Sequence, residues 1–159
     1  MNQIKAKVVA DSLSPQGKRL TSLEIEFPRI ILAELNTHRI LSKNSASSRA
    51  IPFQKMVDMV QTNPFIPIAW QKEHKGMQGS EYLVEDEGNI TAEWLQSMIF
   101  AVERAKVMSG LEVTKQLANR LLEPFMMHKV LITGTEFSNF FDLRCPSYEI
   151  DLDNLELLK

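Results

Sequence analysis

Two short runs of residues around a tight turn constrain this chain more than any other feature. From Leu20 to Phe27, the residues Leu20, Ser22, Glu24 and Glu26 alternate with Thr21, Leu23, Ile25 and Phe27, the period-two pattern of a half-buried strand. Ahead of it, Ile4 to Ala10 reads as a second strand ending at Asp11. Between them lies Ser14-Pro15-Gln16-Gly17, strong turn chemistry because Pro presets φ and Gly accepts positive φ. The two runs are expected to pair as a hairpin.

Most of the remaining chain reads as helix. Pro28 suits the first turn of one, carried by Ile30, Ile31, Ala33, Glu34 and Leu35 to about Thr37. Leu41 to Ala50 is Ser/Asn-rich with little apolar content and reads as a loop. Pro52 then opens a helix carried by Phe53, Met56, Val57 and Val60, broken by Asn63-Pro64 and Pro67. Gln71 to Gly88 is polar and reads as a lid or a plain surface loop. Thr91 is a good N-cap for a long helix through about Ser109, ended by Gly110, and Glu112 to Leu122 predicts another, stopped before Pro124. Val130 to Thr135 is a buried strand by its β-branched content, and Glu136 to Leu143 a short helix packed through Phe137, Phe140 and Phe141. The expected fold is α+β, with helices packed on a small, mostly antiparallel sheet in a single domain spanning residues 1–159.

Charge and composition exclude several classes of function. A formal net charge of −2 and a pI near 5.9 provide no general basic field, so no nucleic-acid partner is expected. The N-terminus lacks a charged-then-apolar signal pattern and no apolar run approaches the ~20 residues that span a bilayer, which predicts a cytoplasmic protein without a membrane partner. The single cysteine, Cys145, cannot form an internal disulfide and has no companions at zinc-site spacing, so no metal is expected. With Pro146 beside it and no evident base, it reads as a small hydrophobe rather than a nucleophile. His74 and His128 read as an exposed loop residue and a strand-start residue. The methionines Met56, Met59, Met98, Met108, Met126 and Met127 read as packing residues, and Arg120 with Glu123 as an exposed ion pair.

One window stands apart. His38 to Arg49, HRILSKNSASSR, places a His, two Arg, a Lys, an Asn and four Ser in twelve positions. Hydroxyls and backbone N–H groups suit phosphate oxygens, Arg adds a bidentate charged contact, and the helix beginning near Pro52 adds the partial positive charge of its N-terminus. A solvated Ser-rich loop explains the same composition.

The spacing resembles a family signature. Flavin-dependent thymidylate synthases carry R-H-R-x-x-S-x-N-x-x-S-x-R, and Thr37 to Arg49 is similar at six of its seven fixed positions. Ser14-Pro15, the strand to Phe27, Pro28 and the helix to Asn36 resemble the family's lead-in, and Asp142-Leu143-Arg144 resembles its downstream Asn-x-Arg, so the likeness covers about residues 4 to 144. The resemblance implies FAD contacts at Ser14, His38, Arg39, Asp142 and Arg144, and deoxyuridylate (dUMP) contacts at Glu34, Ser45, Ser47, Ser48 and Arg49. It further implies methylation of dUMP to dTMP with methylenetetrahydrofolate and NADPH as co-substrates, in a homotetramer whose sites lie between subunits. It assigns no catalytic side chain here. Thr37 replaces the first Arg, Ser45 a common Glu, and Glu34 the usual Gln. After Arg144 nothing resembles the family's C-terminal helical segment, which leaves open a catalytically incomplete flavin- or nucleotide-binding protein of the same fold, or an unrelated structural protein.

Overall fold

The N-terminal runs pair as expected in the computed structural model, which describes residues 4–76 and 79–144, with the side chains of Leu143 and Arg144 outside that description. Strand β1 (Lys5–Leu13) and strand β2 (Arg19–Pro28) are antiparallel, and Gly17 takes φ 76° in the turn that joins them. Both strands run further than the alternation indicates. Lys5 pairs with Glu26 and Leu13 with Arg19, and a bulge between Val8 and Ala10 leaves Val9 as the extra residue on β1.

Pro28 closes β2 instead of opening a helix. A 3-10 turn, Arg29–Ile31, follows it before the short helix α1 (Leu32–Asn36). The Ser/Asn-rich stretch is not wholly loop either: β3 (Ser42–Ser45) lies antiparallel to β4 (Met127–Gly134), from Ser42 opposite Thr133 to Ser45 opposite Val130. These residues have weak strand propensity, and backbone pairing to β4 overrides it at the sheet edge. The sheet order is β1-β2-β4-β3, antiparallel throughout, which agrees with the expected fold class.

One face of the sheet carries Leu23, Ile25, Phe27, Val130 and Ile132, covered by Leu32 and Leu35 of α1 and by Phe137. Phe137 sits just ahead of α5 (Ser138–Arg144). Positions of opposite parity carry Glu24, Glu26 and Lys129, and the Lys129 ammonium lies 3.8 Å from each carboxylate.

A second core joins α2 (Phe53–Thr62), α3 (Glu87–Gly110) and the segment after α4 (Lys115–Ala118), through Met56, Val57, Val60, Met98, Val102, Leu122 and Phe125. Helix α3 begins before Thr91, whose hydroxyl instead accepts from the Trp70 indole at 3.1 Å. It ends at Gly110 as expected, but the next helix does not restart at Glu112. Glu112 takes φ 61°, its N–H donates to Ser109 O at 3.1 Å, and Val113 N–H donates to Met108 O at 3.0 Å, the hydrogen bonding that closes a helix in a left-handed cap. Glu112 therefore terminates α3 and cannot start the next helix. Thr114 caps α4, and Asn119–Phe125 continues as a 3-10 helix that includes Pro124. Among the described residues no helix is long and apolar enough to cross a membrane.

Leu122 is fully buried where α2, α3 and the 3-10 helix meet, whereas Leu121 is 38% exposed. Leu122→Ala should cost about 2–5 kcal/mol and Leu121→Ala under about 1 kcal/mol, read as the shift in urea-unfolding free energy. Equal costs at the two positions would contradict this packing.

Candidate functional site

Thr37 to Leu41 turns the chain out of α1. Thr37 N–H and His38 N–H donate to Glu34 O and Leu35 O at 3.1 and 3.2 Å, so the helix ends where the polar window begins. The Lys43 ammonium reaches back from β3 to the carbonyls of His38 and of Leu35, satisfying the C-terminal end of α1. The Thr37 hydroxyl donates to Glu34 O at 2.7 Å, so the side chain replacing the signature's first Arg is turned onto its own helix.

His38 meets Phe140 of α5 edge to face, with ring centroids 5.0 Å apart. Both line a pocket of about 310 Å³ with Ala6, Ile25, Phe27 and Glu34. Neither Arg49 nor any of Ser45, Ser47 and Ser48 lines it. Arg39 and Asp142 are exposed. Ser14 sits at the hairpin tip, where its hydroxyl accepts from Lys18 N–H at 3.1 Å. The strand from Ala6 to Leu13 places it about 25 Å from that pocket. One copy of the chain thus brings His38 and Glu34 together and keeps Ser14 apart.

The Ser/Arg end of the window follows β3. Ala50 N–H closes a turn onto Ser47 O at 2.9 Å, and Arg49 N–H donates to Ser47 Oγ at 3.3 Å. Ser45, Ser47 and Arg49 are exposed, while Ser48 is buried and its hydroxyl donates to Glu123 Oε1. The Ser48 side chain is thus already hydrogen-bonded within the fold. Pro52 precedes α2, and no side chain caps that helix, leaving its first N–H groups directed at the end of the loop.

Helix α4 and the 3-10 helix after it grip this loop through residues that sequence reasoning missed. Lys115 Nζ donates to Ala50 O at 3.3 Å. Arg49 Nε donates to Gln116 Oε1 at 3.2 Å, and Asn119 Nδ2 to Ser48 O and Ile51 O at 2.8 and 3.0 Å. The one available signal was a polar amide, Asn119, among Leu117, Ala118, Leu121 and Leu122. Glu123 is likewise more than half of a surface pair. Its Oε1 lies 3.6 Å from Arg120 and 3.5 Å from Arg29, and both the Arg29 and Glu123 side chains are mostly buried. Among the described residues no cluster of His, Cys, Asp and Glu could hold a metal ion. Cys145 lies outside the described residues.

Behind Glu123, Arg29 Nη1 and His128 Nε2 are 3.1 Å apart. A guanidinium can only donate, so Nε2 accepts and the ring is neutral with its proton on Nδ1. Burial, then the Arg29 cation, push the His128 imidazole down from 6.5 to about 4, against a smaller upward pull from Glu123. In the unfolded chain the ring takes up a proton near pH 6.5 that the folded protein refuses. Stability present above that pH is therefore lost as pH falls toward about 4. Unfolding free energy should drop by on the order of 2 kcal/mol between about pH 7 and pH 5. His128→Gln, which keeps an acceptor for Arg29, should flatten that slope in urea titrations; an unchanged slope would mean that another group carries it.

The fold has known relatives in shape, though not in sequence. No family model and no curated protein sequence matches the chain. The crystal structure of a UMP/dUMP methylase, PolB from Streptomyces cacaoi, bound with 5-Br UMP, is similar with a TM-score of 0.66 at 12% identity, covering 85% of this chain and 73% of that one. The same methylase bound with 5-Br dUMP gives a TM-score of 0.62 at 13% identity, covering 83% and 73%. At these identities the likeness establishes a shared fold.

Proposed function

We propose that the chain binds dUMP through residues 45–49 and methylates its base as a flavin-dependent thymidylate synthase, with methylenetetrahydrofolate and NADPH as co-substrates. The observation that carries this reading is the conformation of the Ser/Arg turn. Ser47 and Arg49 are exposed at the uncapped start of α2 and are held from behind by Lys115, Gln116 and Asn119. A solvated surface loop has no need of such fastening, whereas an anion site needs donors fixed in place before the ligand arrives. The signature spacing and the fold shared with a UMP/dUMP methylase support a uracil nucleotide as that anion.

Arg49 with Ser45 and Ser47 would take the phosphate, Ser48 contributing through its backbone. Arg120 adds a second cation close by, since its guanidinium and the Ser48 hydroxyl meet the same Glu123 oxygen. Glu34, in the pocket with His38, is an acceptor suited to the imide N–H of a uracil rather than to a phosphate.

The flavin positions fit in part. The apolar walls beside His38 and Phe140 suit one side of a flat ring, and Arg39 and Asp142 are open to solvent. Ser14 lies too far along the hairpin to join them within one copy. A second copy in a homotetramer would have to supply it. A flavin bound there would supply the hydride that reduces the transferred one-carbon unit. Within this reading the chain's own residues bind and orient. Thr37, turned onto Glu34 O where the signature has a cation, favours the second reading, a protein of this fold that binds flavin and nucleotide without turnover.

Calorimetric titration of flavin-loaded protein should show dUMP binding far more tightly than deoxyuridine, with the gap narrowing as salt rises. Arg49→Ala should cost on the order of 2–3 kcal/mol, roughly 30- to 150-fold in Kd, and Arg49→Lys less, since it keeps the charge but loses the planar fork. Equal affinity for nucleotide and nucleoside would refute the phosphate site. The flavin assignment is separately testable: Arg39→Ala combined with Arg144→Ala should leave protein without flavin absorbance after desalting, and full retention would refute it. Oxidation of NADPH stimulated by dUMP distinguishes the enzyme from the non-catalytic binder.

A further inference from the structure

Gln116 and Asn119, three residues apart at the junction of α4 and the following 3-10 helix, both reach the turn that carries Arg49. We propose that these two amides are positioning residues that set the phosphate-binding geometry of that turn, an inference resting on the proposed phosphate site. Neither has to touch the nucleotide. Gln116 accepts from Arg49 Nε at 3.2 Å, which fixes the plane of the guanidinium and leaves its two terminal nitrogens to face a ligand.

Asn119 acts on the backbone. Its amide nitrogen donates to Ser48 O and Ile51 O, the carbonyls flanking Arg49 and Ala50, so both ends of the segment bearing the guanidinium are fixed. Lys115 holds one of the two carbonyls between them, that of Ala50. The orientation of the Asn119 amide follows from these partners, because the reverse flip would set its oxygen against two carbonyl oxygens. Its own oxygen, Oδ1, is buried and meets no hydrogen-bond partner among the described residues. An apolar residue would fill the same volume without that cost, so Asn119 serves for its two donated hydrogens.

The quantity that isolates this role is the phosphate increment, the ratio of Kd for deoxyuridine to Kd for dUMP, measured by calorimetry on the full chain. Gln116 is exposed, so Gln116→Ala should fold with an unchanged melting temperature. It should lower the increment about 3- to 10-fold while leaving deoxyuridine affinity alone. Asn119→Asp keeps the shape and, ionised, has no hydrogens to donate; its increment should fall by about 10-fold or more. Protonation returns one donor, so the increment should recover as pH is lowered, against a wild-type control at each pH.

A merely structural role for Asn119 would lower the melting temperature and leave the increment of the folded protein intact. That result in Asn119→Asp, together with a wild-type increment in Gln116→Ala, overturns the proposal. Should Asn119→Asp fail to fold, Gln116→Ala decides alone. A wild-type protein that does not distinguish dUMP from deoxyuridine removes the phosphate reading, and this inference with it, before any variant is compared.

Discussion

A single carboxylate oxygen, Glu123 Oε1, stands where the sheet, the helical layer and the Ser/Arg turn meet. It accepts from the Ser48 hydroxyl and lies within ion-pair distance of Arg29 and Arg120. Arg29 follows β2 and also donates its backbone N–H to Met126 O at 2.9 Å, so the same residue joins the two layers by main chain and by side chain. A buried guanidinium is costly unless it is paired, and this one is paired on both sides, by Glu123 and by a neutral His128. The position of the loop thus depends on a charge balance reached well behind it. Conformational freedom at the turn is limited from the protein side before any ligand binds.

The division between helical layer and sheet also explains how the polar window is presented. Its first part, His38 to Leu41, follows directly on α1 and brings His38 to the sheet-side pocket with Phe140. Its last part, Ser47 to Ile51, belongs mechanically to α4 and the 3-10 helix. The short strand β3 separates them and pairs, as a strand, with β4. Two chemically different surfaces are therefore held by two different cores, with one edge strand setting their spacing.

How much could be read from the sequence depends on the physics of each signal. The hairpin was legible because alternation and Pro/Gly turn chemistry are local, and α2 because Met56, Val57 and Val60 recur at helical spacing next to Pro52. Strand β3 was not legible, since Ser42 to Ser45 has weak strand propensity and its pairing is decided by Val130 to Thr133, some ninety residues away. The end of α3 at Gly110 was legible, but its cap was not, since glycine is the usual residue of a left-handed cap and here Glu112 occupies that conformation. The exposed part of the candidate site, Ser47 and Arg49, was visible as composition and spacing. Its supports, Gln116, Asn119, Glu123 and Arg29, were hidden because each is an ordinary polar residue whose significance lies in a partner distant in sequence.

The bulge at Val9 has a consequence for how this hairpin can change in length. Up to Val8, the residues of β1 that face the α5 side are Ala6 and Val8; beyond the extra residue they are Asp11 and Leu13. The shift places the Asp11 carboxylate beside Arg19 and Thr21, where a hydrogen bond from Arg19 and another from Thr21 hold it down at about 2. Loss of one residue between Val8 and Asp11 would return the strand to simple alternation and still leave Asp11 and Leu13 on the same face, because the bulge already absorbs the extra residue. Loss of both intervening residues would instead make Val8 and Asp11 neighbours and turn Asp11 to the opposite face. The bulge is thus a one-residue allowance in the hairpin arm, which can give up its extra residue without reversing the face that carries Asp11 and the residues beyond it.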